Sequence, residues 1–157
     1  MKHYTRTLSL FLFISFAFSQ TQLGSDIDGE AQGDYSGWSV SMNSAGDRVA
    51  IGAANNAGTG SNAGHVRIYE YSNSSWTQLG SDIDGEAQGD YSGTSVSMNS
   101  AGDRVAIGAT DNDGTASDAG HVRIYEYSNS SWTQLGSDID GEAANDYSGN
   151  SVSMNSA

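Results

Sequence analysis

Cysteine and proline are absent from this 157-residue chain, and basic residues are scarce, six against 19 acidic ones. Without cysteine there is neither a disulfide framework nor a thiol to carry a lipid, so packing or bound metal must hold the fold together. Turns fall to the twenty glycines and to the many Asn, Asp and Ser residues. The formal charge of −13 repels phosphate backbones and anionic headgroups, which argues against nucleic-acid and membrane-surface roles and leaves cations or basic partners. Long hydrophobic runs are missing too. The longest, residues 8–18, has eleven residues, well short of the roughly 20 that span a bilayer. Beyond it nothing carries a helical period.

That apolar run lies in a segment with the makeup of an export signal. Lys2 and Arg6 precede it, and the small residues Ala17 and Ser19 close it. Residues 1–19 are therefore predicted to be a signal peptide cleaved after Ser19, and the protein to be secreted or held at the cell surface. Its loss leaves four basic residues against the same 19 acidic ones, and no later segment is apolar enough for a membrane span.

What the chain does have is repetition. Residues 21–76 match 77–132 except at six positions, 38, 54, 55, 57, 60 and 62, and a third copy, 133–157, is cut short. Copies this similar point to recent duplication, so sameness between them is no evidence of function. Within a copy, SVSMNS at 39–44 alternates Val40 and Met42 with serine, and RVAIGA at 48–53 alternates Val49 and Ile51 with small residues. Residues 43–47 form the hairpin turn between them. HVRIYEYS at 65–72 reads as a third strand, and NSS turns the chain into a fourth, WTQLGSDI at 76–83.

Four short strands in a 56-residue unit suit one blade of a β-propeller, which repeats four-stranded sheets around an axis. They suit a β-sandwich or a β-solenoid less well. The expected fold is therefore all-β: a partial propeller of four-stranded antiparallel blades behind a signal peptide. Both faces of a blade pack on neighbours, which accounts for Tyr69 and Tyr71 opposite Val66 and Ile68 on one strand. The small residues of AIGA would let neighbouring sheets approach closely.

SGWSVSMNSAGDRVAIGAA, followed by a loop and GHVRIYEY, resembles the FG-GAP repeat of bacterial secreted proteins, which is related to the repeats of the integrin alpha-subunit propeller. The resemblance covers essentially all of residues 20–157. The family's Phe-Gly stands here as Ser36-Gly37, Ser92-Gly93 and Ser148-Gly149, and its Gly-Ala-Pro as Gly52-Ala53-Ala54 and Gly108-Ala109-Thr110. It implies a propeller that serves binding or adhesion. Integrin-type repeats also carry a calcium loop, Asp-x-Asp-x-Asp-Gly, where this chain has NSAGD at 43–47 and 99–103. A turn with only Asp47 or Asp103 offers too few oxygens for calcium, which takes about six to eight, so that role does not carry over.

GSDIDGEAQGDYSG, at 24–37 and again at 80–93, is the other acidic element. Asp26, Asp28, Glu30 and Asp34, with Asp82, Asp84, Glu86 and Asp90 in the second copy, are candidates to converge on calcium. The competing reading is a solvated acidic turn, since Gly29 comes too early for an EF-hand loop. A second acidic loop, 110–118, offers Asp111, Asp113 and Asp118 where the first copy has Asn55, Ala57 and Asn62. It is the candidate variable binding loop, together with the position that reads Trp38, Thr94 and Asn150.

No catalytic constellation emerges. His65 and His121 open equivalent strands beside Arg67 and Arg123, but no nucleophile has a positioned base, and the paired acids of a glycosidase would need a cleft. These histidines read as structural, and Trp76 and Trp132 as packing residues. Asn73 and Asn129 lie in glycosylation sequons. Closed propellers use about four to eight blades, and the sequence stops inside a hairpin, so a fragment of a longer protein is expected. The expected function is non-catalytic binding of an extracellular protein or glycan. The alternatives are the propeller portion of a larger secreted hydrolase, and chains that self-associate through open blade faces.

Overall fold

The computed structural model describes residues 20–156, so the expected signal peptide, 1–19, lies outside the described residues. Among the described residues every regular element is a β-strand. The first sheet comprises β1 (Ser39–Met42), β2 (Arg48–Ala53), β3 (His65–Ser72), β4 (Ser75–Gln78) and β5 (Ile83–Asp84). The second repeats it one unit later with β6 (Ser92–Met98), β7 (Arg104–Ala109), β8 (His121–Ser128), β9 (Ser131–Gln134) and β10 (Ile139–Asp140). Strand order is β1-β2-β3-β4, with β5 also on β3, and the second sheet follows the same plan. All pairings between these strands are antiparallel.

The expected second and third strands form with the bounds read from sequence, because Val49 and Ile51 face across to Tyr69 and Arg67 in a continuous ladder. Two strands differ from expectation. The first ends at Met42 instead of 44, since Asn43 already belongs to the turn. Its side-chain oxygen accepts the Asp47 and Arg48 amides at 3.1 and 3.0 Å, and its amide donates to the Asp47 carboxylate at 2.7 Å. The expected fourth strand, 76–83, is divided into β4 and β5 by a kink at Gly80, which sits at φ 79°. Only Leu79 keeps the ladder going there, its N–H donating to the Ile68 carbonyl at 2.8 Å. The β3–β4 turn is a two-residue loop with Asn73 at φ 51° and Ser74 at φ 63°, the left-handed pair that a type I′ hairpin requires.

The two sheets share one core. Ala50, Val66, Ile68 and Ile83 of the first pack with Val96, Met98, Val105, Ile107 and Tyr125 of the second, and Leu79 and Trp132 close its margin. The alternating Ser-Val-Ser-Met pattern explains the packing on both faces. Val96 and Met98 point back into the first sheet and are buried, whereas their counterparts Val40 and Met42 have no sheet before them among the described residues and lie exposed. The serine face is equally occupied. Ser39 Oγ donates to the Gly93 carbonyl at 2.7 Å and Ser41 Oγ accepts the Met98 N–H at 2.9 Å. Ser95 and Ser97 do the same to Gly149 and Met154 at 2.7 and 2.9 Å, so the start of the third copy lies on the second sheet as the second lies on the first.

Glycine is what permits this approach. A Cβ at Gly52 would fall inside the envelope of the Gly93 carbonyl, and one at Gly108 inside that of Gly149. Trp132 Nε1 donates to the Leu79 carbonyl at 2.7 Å, tying the outer edge of the second sheet to the kink in the first.

Candidate functional site

The acidic stretch does not gather its own four carboxylates. Asp26 accepts from Gln22 Nε2 at 2.7 Å at the surface, and Asp28 offers its backbone carbonyl to Arg67 Nη2 at 2.8 Å. Asp34 is buried as a turn anchor, accepting the Ala31 amide at 3.2 Å and the Asn56 side chain at 2.9 Å. Asp90 does the same with Ala87 at 2.9 Å and Asn112 at 3.1 Å. The Asp84 carboxyl is pushed above the usual carboxylate range, mainly by burial and then by the charge of Asp82.

Glu30 and Asp82 meet across copies instead. The turn before the first sheet supplies Glu30, the first residue of β3 supplies His65, and the kink between β4 and β5 supplies Asp82. His65 Nδ1 lies 3.8 Å from Glu30 Oε2 and 3.6 Å from Asp82 Oδ2. One repeat later, His121 Nδ1 lies 3.9 Å from Glu86 Oε2 and 3.5 Å from Asp138 Oδ2. The second cluster spans a seam, since Glu86 trails the first sheet while His121 and Asp138 belong to the second.

Each carboxylate is held by its other oxygen as well, and Glu30 Oε2 also accepts from Asn56 Nδ2 at 3.4 Å. Asp82 Oδ1 accepts from Gln78 Nε2 at 2.5 Å and Asp138 Oδ1 from Gln134 Nε2 at 2.6 Å. Arg67 and Arg123 stand 3.6 and 3.4 Å from Oε1 of Glu30 and Glu86. Both histidines are almost wholly buried, at 2% and 1% exposure. His121 Nδ1 has no hydrogen-bond partner among the described residues. Burial, then the neighbouring Arg123 charge, lowers the His121 pKa below its ordinary value against the opposing pull of Asp138, Glu86 and Asp90. Burial thus favours the neutral ring, which keeps a lone pair.

A second feature is an open groove of about 240 Å³ between the sheets, lined by Trp38, Ala54, Asn55, Tyr91, Thr94, Thr110 and Asp111. Except for Tyr91, every lining residue occupies a position at which the copies differ. The two variable spots of the sequence, position 38 and the acidic loop, are thus brought together. Asp111 accepts from Thr110 Oγ1 at 2.7 Å. Asp113 and Asp118 lie beyond the groove in the same loop, where the Asp118 N–H donates to Asp113 at 2.9 Å. Tyr91 is held at φ 53°, a left-handed conformation costing a bulky residue about 1–2 kcal/mol.

In the sequence His65 and His121 read as structural residues at strand ends. A repeated His with carboxylates recurring in register was the available signal, but the three segments meet only once the kink after β4 is known. The chain matches no known protein-family model, and no curated protein matches it with significance.

Proposed function

We propose that this chain is a non-catalytic, exported module of FG-GAP-type propeller repeats that binds a ligand at the groove between consecutive sheets. One observation carries the reading: among two otherwise identical copies, positions 38, 54 and 55 and their partners 94, 110 and 111 converge on one groove. The other three differences, at 57, 60 and 62, lie in the same β2–β3 connection. The two packed, repeated antiparallel sheets support the propeller reading, each sheet standing for a blade. Its chemistry suits a saccharide or short neutral or basic peptide, with the exposed Trp38 ring as an apolar platform beside Thr94 and the Asp111 carboxylate. The net charge of −13 disfavours anionic ligands.

The test is binding of purified protein to a glycan and peptide array, followed by Trp38→Ala and Asp111→Ala. Loss of capture in both variants at unchanged melting temperature supports the reading. Capture that ignores both changes, or turnover of a captured glycan, sinks it.

A second reading, self-association, is favoured by a specific surface. Val40 and Met42 are 57% and 51% exposed, while the equivalent Val96 and Met98, covered by a sheet, are 9% and 6% exposed. Another copy's sheet would cover that face as the first sheet covers β6. Sedimentation velocity decides: a concentration-dependent oligomer lost in Val40→Lys supports assembly, and a strict monomer at every concentration ends it.

A further inference from the structure

We propose that each Glu-His-Asp cluster, Glu30-His65-Asp82 and Glu86-His121-Asp138, is a binding site for a borderline divalent cation of the zinc class, and that at the second cluster the ion clips the two sheets together. The inference is independent of the groove and of what binds there.

The argument starts from spacing. The four His-to-carboxylate distances run from 3.5 to 3.9 Å, beyond the N–H···O range of about 2.7–3.2 Å. Ligands held on one tetrahedral zinc at its usual bond lengths of about 2.0–2.2 Å stand roughly 3.3–3.5 Å apart. The gaps are therefore too long for hydrogen bonds and near the edge length of a coordination shell, which slight closure would complete. All three ligand atoms of each cluster lie within 4.8 Å of one another.

Chemistry and support agree. A buried imidazole nitrogen without a partner, at His121 Nδ1, is aimed at two carboxylate oxygens. Leaving such an atom unpaired is unfavourable unless something fills the space. One nitrogen and two carboxylates select zinc-like ions over calcium, which takes oxygen ligands in larger number. Two negative charges would neutralise the ion, and the half-exposed glutamates leave each cluster open to solvent on one side. Gln78 and Gln134 orient Asp82 and Asp138 as outer partners orient metal ligands. In each cluster the three ligands come from separate segments.

The experiment uses untagged, chelator-treated protein titrated with zinc chloride in a calorimeter, with calcium chloride in parallel. Two zinc ions per chain are expected, with a rise in melting temperature. Alanine at the buried histidines risks unfolding, so Asp82→Asn and Asp138→Asn are used: each alone removes one equivalent and the pair removes both. Gln78→Ala and Gln134→Ala weaken zinc roughly 10–100-fold without changing stoichiometry. Absence of zinc binding, zinc binding that survives the Asp82→Asn/Asp138→Asn pair, or calcium bound as tightly as zinc overturns the proposal.

Discussion

Replacing Gly52 with alanine probes the closest approach between the two sheets. Gly52 lies within β2 at a backbone conformation that alanine adopts without strain, so only the new methyl matters. That methyl would fall on the Gly93 carbonyl and 2.5 Å from Ser39 Oγ. Ser39 can rotate, at the cost of its 2.7 Å hydrogen bond to Gly93, but the carbonyl is backbone and moves only with β6. Overpacking of this kind costs about 1–3 kcal/mol. Alanine's lower backbone entropy returns roughly 0.5–1 kcal/mol. The net expectation is a destabilisation of up to about 2.5 kcal/mol, or up to roughly 8 °C in melting temperature for a chain of this length, in the upper half of that range because the opposing atom is backbone. The assay is thermal unfolding followed by circular dichroism, with the double change Gly60→Ala/Gln88→Ala as control. That glycine also opposes a neighbour, its added Cβ lying 3.0 Å from Gln88 Cβ, but the second repeat carries Ala116 and Ala144 at the same places. The control should therefore be nearly neutral. A Gly52→Ala protein as stable as the control would refute the packing of the sheets through glycine.

Two further outcomes follow from turns and titration. Ser74→Gly and Ser130→Gly relieve left-handed backbone at φ 63° and 64°, and each should stabilise the chain by about 0.5–1 kcal/mol; an unchanged or lower urea midpoint would contradict the turn geometry. Burial raises the Tyr125 pKa above its ordinary value, against Arg123, which lowers it, and with Glu86, Asp138 and Asp84 adding to the rise. Above about pH 10 the unfolded chain loses this proton while the folded chain keeps it, so stability falls as pH rises through that range. Tyr125→Phe should flatten the fall that sets in above about pH 10, and an identical decline in that variant would remove Tyr125 as its source.

The strands that the sequence revealed are those whose alternation the core enforces. Val49 and Ile51 in β2, and Val66 and Ile68 in β3, show the period of two because their faces meet different layers. The break between β4 and β5 was hidden because Leu79 and Ile83 continue an apolar pattern across a kink made by backbone torsion. The serines of β1 look like a wet face, yet they bond to the next unit's backbone, and no periodicity distinguishes a hydroxyl facing water from one facing a carbonyl. The close approach at AIGA was legible, since small residues in a strand have few other uses. The grouping of Glu30 with Asp82 was not, because it depends on one unit's tail crossing the head of the next.

The near identity of the copies also bears on how the chain finds its fold. None of the six differing positions lies within β2 or β3, so β1 meets the same pairing face on β7 as on β2. Side chains cannot tell the right partner from the wrong one. Connectivity can: pairing β1 with β7 lengthens the five-residue turn at 43–47 by a full 56-residue repeat, which costs roughly 2 kcal/mol more in loop closure. Correct assembly thus rests on the tight Asn43 and Asn99 hairpins forming before the long-range contacts, and loosening either turn invites strand exchange between units.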